Sequence, residues 1–178
     1  MILINLYKRF EFWFLKKIWL IKFKKIWKKS IVKWWLYWWL HNIEIWKYVY
    51  IWENIQCWWL GWLKIWDWTI IWPNVIIRTT NHDYKSWDFI PYWPWIDSRE
   101  VIIWKNSWIW DNVLITPWTQ VWEWCIIWMW AVISWNIEDF SIIVWNPWKV
   151  IKKRNIEEYF KNKENNKVYL KYKLEWKI

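Results

Sequence analysis

Glycine is nearly absent from this chain: Gly61 is the only one among 178 residues. Cysteine and histidine are also scarce, present only as Cys57 and Cys125 and as His41 and His82. Two histidines are too few for a zinc site that needs three of them. Two well-separated cysteines predict reduced packing residues rather than a disulfide or a metal pair. We therefore expect no bound metal.

A long uninterrupted apolar run is missing as well. The segment Phe10–Leu20 is broken by Lys16 and Lys17, so it falls short of the ~20 apolar residues that a transmembrane helix requires. It also lacks the small-residue cleavage site of a signal peptide. We expect a cytoplasmic protein, and a peripheral contact with a membrane stays open.

Positive charge is concentrated at the two ends of the chain, within a formal net charge of +10. Residues 1–33 contain ten basic residues and one acidic residue. Residues 34–148 contain six basic and eleven acidic residues, and residues 149–178 contain ten basic and four acidic residues. Basic ends can contact membrane lipid, nucleic acid or a phosphorylated small molecule, or can be simple solvated surfaces. We expect no nucleic-acid partner.

An aliphatic residue recurs at every sixth position in the second half of the chain. A period of six fits neither an amphipathic helix nor an alternating strand, and it is typical of hexapeptide repeats, three of which form one triangular coil of a parallel β-helix. The positions four residues further on are small or β-branched. The aliphatic series is Ile103, Ile109, Ile115, Val121, Ile127 and Ile133, and the small series is Ser107, Val113, Thr119, Cys125 and Ala131.

Tryptophan, with 30 residues, stands where these repeats favour glycine. Four of the six aliphatic residues are followed by Trp104, Trp110, Trp122 and Trp128. We expect this following residue to turn the corner of the coil at positive φ, which glycine adopts without a Cβ clash. Scarce Gly, Ala and Arg beside abundant Ile, Lys and Asn are typical of an AT-rich genome. We hypothesise that most tryptophans are glycines in the living protein, because some bacterial lineages translate UGA as glycine.

The pattern predicts a domain organisation with an all-β body. The aliphatic period is abandoned after Ile77, and the polar, proline-containing segment that follows is predicted to project from the coils. Residues 142–151 are predicted to close the body as a strand pair. The predicted parts are a basic helical segment at 1–25, the β-helix at 26–151 with its projecting loop at 78–102, and a basic tail at 152–178 that is helical near residues 156–160.

Four segments carry a further pattern when tryptophan is read as glycine: Lys105–Asn112, Thr116–Trp118, Ile127–Ala131 and Val144–Ile151. In that order they resemble the N-V-W-I-G-x-N, x-P-G, I-G-A-G-S and G-N-P-A-K-x-I segments of the hexapeptide acyltransferases that O-acetylate sugars. The resemblance covers roughly residues 26–154. It implies a left-handed parallel β-helix and transfer of an acetyl group from acetyl-CoA to a hydroxyl of a sugar or surface-polysaccharide precursor. It also implies a homotrimer, since the family's site lies between adjacent prisms.

The resemblance also implies which residues form the site. Arg78–Asp83 falls where these enzymes place their catalytic histidine, and His82 is the only histidine in the projecting loop. A neutral imidazole can take the proton of an attacking hydroxyl near pH 7. The positions that match CoA contacts are Asp111, Met129 and Ser134 for the pantetheine arm, and Lys149 and Lys152 for the phosphates.

Several alternatives stay open at this stage. Asp83, Asp88 or a backbone carbonyl could orient His82. The same base would serve an N-acyltransferase acting on a nucleotide-linked amino sugar or a serine O-acetyltransferase. A non-catalytic β-helical scaffold would not need His82. Direct attack in a ternary complex is expected, because no Ser or Cys nucleophile with an adjacent base is apparent.

Overall fold

Short strands joined by tight corners wind the chain into successive triangular coils. The computed structural model describes residues 24–27, 29–33, 35–37, 40–58, 60–83, 85, 90 and 93–175. In chain order the strands are β1 (Lys25–Ile26), β2 (Ile31–Val32), β3 (Trp35–Tyr37), β4 (Ile43–Ile45), β5 (Tyr50–Ile51), β6 (Ile55–Trp58), β7 (Leu63–Ile65), β8 (Ile70–Ile71), β9 (Ile76–Arg78), β10 (Thr80–Asp83), β11 (Trp93–Ser98), β12 (Val101–Ile103), β13 (Trp108–Ile109), β14 (Leu114–Ile115), β15 (Gln120–Val121), β16 (Ile126–Ile127), β17 (Val132–Ile133), β18 (Asn136–Ile137), β19 (Ser141–Val144) and β20 (Lys149–Lys153).

Three sheets form the faces of the prism, and their strands are parallel except for β20 at the edge of face B. Face A contains β1, β4, β7, β12, β15 and β18, face B contains β2, β5, β8, β13, β16, β19 and β20, and face C contains β3, β6, β9, β14 and β17. Ile103 pairs with Val121, Ile109 with Ile127, and Ile115 with Ile133, so one coil takes 18 residues. The predicted coil of three hexapeptides is confirmed.

The core is a column of side chains that point into the coils. The aliphatic residue of each hexapeptide from Ile103 to Ile133 is fully buried. The residues four positions later, from Ser107 to Ala131, are buried as well. The hydroxyls among them donate to backbone carbonyls: Ser107 bonds to Trp122 at 2.9 Å and Thr119 bonds to Thr116 at 2.7 Å. These bonds remove the cost of burying an unpaired hydroxyl.

Both cysteines pack in this column. Cys57 and Cys125 are free and buried, as the sequence predicts. Burial raises the pKa of the Cys57 thiol to about 12 and, as the largest cause, that of Cys125 to about 11. Both thiols are therefore protonated, inert packing groups at neutral pH.

The corners bend at a different residue from the one expected. Trp104, Trp110, Trp122 and Trp128, each directly after an inward aliphatic residue, do not have positive φ. The left-handed residue lies two positions further along, three after the aliphatic residue, so the prediction for the corner was wrong. Asparagine and tryptophan occupy that place most often, as Asn54, Asn74, Asn106 and Asn112 and as Trp68, Trp118, Trp124 and Trp130, and it is also occupied by Lys29, Tyr48 and Phe140; all have φ between 55° and 70°.

The tryptophans that follow the aliphatic residues form ladders along two corners instead. On the corner between faces A and B, Trp46 stacks on Trp66 with ring centroids 4.3 Å apart, and Trp66 on Trp104 at 4.9 Å. Among the described residues, six buried indole nitrogens have no hydrogen-bond partner. They are those of Trp27, Trp46, Trp66, Trp104, Trp108 and Trp110.

Two antiparallel pairs interrupt or end the coils. The projecting segment contains the hairpin β10–β11, which leaves the prism between β9 and β12. At the end of the prism β20 folds back on β19, which confirms the predicted closing pair. The predicted helical segment at 1–25 lies outside the described residues except for its last two, and Lys25 belongs to strand β1.

The tail forms two helices, α1 (Ile156–Glu164) and α2 (Tyr169–Glu175), so the helix predicted near residues 156–160 is longer. Asn155 caps α1 by accepting a hydrogen bond from the Glu158 N–H at 3.2 Å. In α2 the Lys173 ammonium lies 4.5 Å from the ring of Tyr50 on face B. The tail therefore returns along the coils.

A polar cluster attaches α1 to the corner between faces A and B. Tyr159 is buried, hydrogen-bonds to Glu123 and accepts a bond from the Asn106 amide at 2.8 Å. Lys163 donates to the same Glu123 carboxylate at 3.0 Å. Burial raises the pKa of Glu123, but the bonds from Tyr159 and Lys163 and the charges of Lys163 and Lys105 together lower it below its ordinary value. The ionised carboxylate thus holds the helix.

The attachment of α1 should weaken in acid. A carboxyl group whose pKa is lower in the folded state stabilises the fold above its unfolded pKa, and this stabilisation is lost as the pH falls through the folded pKa. Glu123→Gln should therefore lower the melting temperature at pH 7 but have little effect at pH 3. Glu157→Gln, on the exposed side of α1, is the control. A melting-temperature difference between Glu123→Gln and the unmodified chain that stays constant from pH 7 to pH 3 would contradict this assignment.

Candidate functional site

The corner between faces C and A collects the polar residues of the projecting hairpin. The hairpin leaves after β9 on face C and returns to β12 on face A. In the next two coils the same corner contains Thr116–Trp118, between β14 and β15, and Ser134–Trp135, between β17 and β18. The 18-residue coil therefore stacks three distant segments beside one another.

A cleft of about 180 Å³ lies between the hairpin and this corner. Its lining combines titratable, hydroxyl and aromatic side chains, and it contains His82 and Ser134 from the predicted site. The full lining is Asn81, His82, Asp83, Lys85, Asp97, Arg99, Thr116, Pro117, Trp118, Ser134 and Trp135.

His82 lies on β10 at an irregular point of the hairpin. It is exposed and pairs with Ile96. The register shifts directly after it, because the next residue, Asp83, pairs with Trp93. Pro94 and Trp95 therefore form a bulge on the opposite strand, between the partners of His82 and Asp83. Such bulges redirect side chains and are frequent beside active sites. The local geometry is therefore compatible with a histidine presented to a ligand.

The groups proposed to orient His82 have different positions. Asp83 follows His82 and lines the same cleft, and its Oδ1 accepts the backbone N–H of Lys85 at 2.9 Å. Asp88 lies outside the described residues. The choice between Asp83 and the other partners stays a prediction.

Arg99 enters the cleft from a rigidly held backbone. Its N–H donates to the Thr79 carbonyl at 2.7 Å, and its Nε donates to Asp97 Oδ1 at 2.8 Å. A Cβ at Gly61 would overlap the Arg99 carbonyl oxygen and lie 2.9 Å from its carbonyl carbon. Gly61 is therefore required for close approach of two backbones rather than for a positive φ.

The residues expected to contact CoA are divided between different parts of the prism. Asp111 and Met129 lie in successive coils on the corner between faces B and C, where the Trp130 N–H donates to the Asp111 carbonyl at 3.3 Å. Ser134 lies with His82, and Lys149 and Lys152 lie on β20. Within one chain, face C separates the two corners, so these residues do not meet in a single cleft.

A second cleft, of about 590 Å³, lies between β20 and α1. Its cations differ in their partners: Lys153 contacts Glu138 at 3.0 Å, whereas Arg154 stacks on Trp124 at 3.5 Å. Lys152 also lines it. Basic side chains therefore surround this edge of face B.

Sequence reasoning did not name Lys85 or Asp97 as residues of the cleft, and it placed Arg99 only in the polar projecting segment and Thr116 only in the Thr116–Trp118 segment. The first three belong to the projecting segment, whose pairing has no periodic signal. Thr116 precedes the Pro117-Trp118 pair that the sequence singled out, and its corner position follows from the hexapeptide count. The hexapeptide period could have identified Thr116, but not Arg99.

The sequence matches no protein-family model and no curated protein. Solved structures do match. A hexapeptide-repeat acetyltransferase of Vibrio cholerae, in complex with acetyl-CoA, has a TM-score of 0.66 at 18% identity, covering 75% of this chain and 72% of that one. A galactoside acetyltransferase in complex with coenzyme A has a TM-score of 0.64 at 21% identity, with coverages of 79% and 70%.

A third match is a variant of an N-acyltransferase from Bacillus cereus in complex with dTDP and coenzyme A. Its TM-score is 0.65 at 17% identity, and the match covers 85% of this chain and 96% of that one. The chain has the fold of these hexapeptide-repeat proteins. The predicted left-handed parallel β-helix is therefore confirmed. At these identities the likeness establishes the fold and leaves the reaction to be argued from the site.

Two further findings concern the described residues alone. No helix among them is long and apolar enough to cross a bilayer. Nor do three or more His, Cys, Asp or Glu side chains of this part of the chain come together in a group that could hold a metal ion.

Replacing Gly61 should disturb the backbone that carries Arg99. We expect Gly61→Ala to lower the free energy of unfolding by about 1–3 kcal/mol, because the added methyl group meets backbone atoms that cannot move aside. Denaturant titration measures this loss. Ser98→Thr, which adds one methyl group at an exposed position of β11, is the control. An unchanged unfolding free energy for Gly61→Ala would show that the Arg99 backbone is not tightly held there.

Proposed function

We propose that this chain is a CoA-dependent acyltransferase that transfers an acetyl group to a hydroxyl of a sugar or surface-polysaccharide precursor. The observation that carries the proposal is the cleft at the corner between faces C and A. It unites His82 with hydroxyl and amide side chains on a fold whose matched solved structures are acyltransferases. The other histidine, His41, belongs to a short 3-10 turn, Leu40–Asn42, and does not line this cleft.

His82 is the general base in this proposal. Its neutral imidazole accepts the proton of the acceptor hydroxyl while the hydroxyl oxygen attacks the acyl carbon. Acetyl-CoA, when bound, would supply the acetyl group as a thioester, with the CoA thiolate as the leaving group. Asp83 is the nearest carboxylate in sequence that lines the cleft, and we assign to it the role of holding the imidazole ring.

The basic side chains at the edge of face B are suited to bind a phosphate group of CoA. Lys149 and Lys152 are exposed on β20, next to the second cleft with its further basic residues. Lysine ammonium groups attract phosphate as point charges. We retain Asp111, Met129 and Ser134 as the proposed contacts of the pantetheine arm. Because these residues lie on two corners, a groove between two copies of the prism is the proposed arrangement, within a homotrimer.

The matched structures support two kinds of acceptor. The matched galactoside acetyltransferase supports a sugar hydroxyl. The N-acyltransferase, matched over 96% of its length, supports the second candidate, transfer to an amino sugar linked to a nucleotide. We also propose a cytoplasmic location, with a peripheral membrane contact through the basic N-terminus.

Removing His82 tests the proposed base. We expect His82→Ala to lower kcat for acetyl transfer by roughly 10²–10⁴, the usual contribution of general-base catalysis. The assay follows thiol release from acetyl-CoA with a sugar acceptor. His41→Ala removes the other histidine and should leave the rate unchanged. Equal rates of transfer for the two variants would exclude His82 as the base, and no transfer by the unmodified chain would favour a non-catalytic scaffold.

We further propose that most tryptophans of this chain are glycines in the living protein. The left-handed corner position supports this, because asparagine and glycine adopt positive φ readily. Tryptophan there costs about 1–3 kcal/mol at each site. The partnerless indole nitrogens at Trp66 and Trp104 add a desolvation cost that glycine would not carry.

The mass of peptides from the native host decides this question. We expect residues 68, 118, 124, 130, 135 and 145, which are tryptophans with positive φ, to have the mass of glycine. The asparagines at the same corner place, Asn106 and Asn112, serve as internal standards. Tryptophan mass at these six positions would reject the glycine hypothesis and leave the corner strain as a property of the protein.

A further inference from the structure

Arg99 is held by more contacts than an ordinary surface arginine. Its backbone is fixed by the hydrogen bond to Thr79 and by the close approach of Gly61. Its guanidinium is held by Asp97 through Nε and lies 4.7 Å from the ring of Trp118. A side chain oriented in this way loses little rotamer entropy when it binds a ligand.

The contact with Asp97 leaves the two terminal nitrogens of the Arg99 guanidinium able to bind a ligand. Only Nε is used in the bond to Asp97, and the two terminal nitrogens make no hydrogen bond to described residues. These nitrogens form the planar fork that binds a carboxylate or a phosphate through two parallel bonds. Arg99 lines the same cleft as His82, so a group bound at this fork would belong to a molecule near the proposed base.

The remaining polar groups of the cleft favour a ligand that accepts hydrogen bonds. The side-chain acceptors are partly occupied: Asn81 Oδ1 accepts the His82 N–H at 2.9 Å, and Asp83 Oδ1 accepts the Lys85 N–H at 2.9 Å. Asp97 accepts from Arg99. The Lys85 ammonium adds three donors to those of Arg99. The cleft therefore offers a ligand the cationic donors of Arg99 and Lys85, while one oxygen of Asp83 and one of Asp97 are already used.

We propose that Arg99 binds an anionic group, a carboxylate or a phosphate, on the acceptor sugar, and so selects acidic over neutral sugars. This inference rests on the proposed acyltransferase function, because it assigns the acceptor to the His82 cleft. Arg99 is then a specificity residue, and Gly61 and Asp97 are its positioning residues. An acidic acceptor would make two charge-assisted bonds to the guanidinium fork that a neutral acceptor cannot make, and this difference in binding is the basis of the selection.

Binding of three sugars tests the proposal separately from turnover. Galactose, galacturonic acid and galactose 6-phosphate are titrated into the full chain, and their dissociation constants are measured by ligand-observed NMR. We expect the two acidic sugars, or one of them, to bind about tenfold or more tightly than galactose. Arg99→Gln should abolish that preference without changing galactose binding. Arg99→Lys, which keeps the charge but not the fork, should retain only part of it.

Lys167→Gln is the matched control, since it removes one positive charge from an exposed position in the tail. It should leave all three dissociation constants unchanged. The proposal is overturned if galactose binds as tightly as both acidic sugars, if Arg99→Gln weakens all three equally, or if Lys167→Gln has the same effect as Arg99→Gln. Thermal unfolding confirms that each variant is folded.

Acetyl transfer to the same sugars is measured in parallel. An acidic preference that depends on Arg99, together with no transfer to any sugar, would support the anion site and contradict the acyltransferase proposal. Transfer to galactose at the same kcat/KM as to the acidic sugars, unaffected by Arg99→Gln, would support the acyltransferase proposal and overturn the role of Arg99. The two failures are therefore distinguishable.

Discussion

The inward column of aliphatic side chains is the constraint on which the other parts depend. Strands of two or three residues, such as β13 and β16, have too few hydrogen bonds to be stable alone. They persist because Ile109 and Ile127 are fully buried and stacked in register. Burial of such a side chain contributes about 1.5–3 kcal/mol, and the contribution recurs in every coil. Any insertion must leave this column intact.

Two of the corners satisfy that condition in different ways. The corner between faces A and B is covered by α1 through Tyr159 and Glu123. The corner between faces C and A carries the hairpin, yet β12 still pairs with β7 before the insertion and with β15 after it. The coil thus tolerates a long insertion at a corner without a change of register. Because the hairpin is inserted at a corner, its polar residues lie beside the prism and are not buried in the core.

Periodicity predicted the coils but not the contents of the insertion. The spacing from Ile103 to Ile133 is sufficient for the coil length, the faces and the inward position of Cys125. It does not say which of the six positions bends, and the assignment of the bend to Trp104 was wrong. Asn106 and Asn112 contained the missing signal, because asparagine is enriched among non-glycine residues at positive φ. Arg99 could be placed in the polar projecting segment but not in the cleft, since β10–β11 pairing and Gly61 bring it there.

The identity of the corner residues bears directly on the cleft. Trp118 and Trp135 line it and both have positive φ, so they are among the residues for which glycine is the less strained choice. With glycine at both positions the cleft would widen on the side of the coils. Arg99 would lose its contact with the Trp118 ring but keep the bond to Asp97 and both backbone contacts. Arg99 is held by Asp97, Thr79 and Gly61, and the proposed partner of His82 is Asp83, so the proposed chemistry does not depend on whether the corners contain tryptophan or glycine.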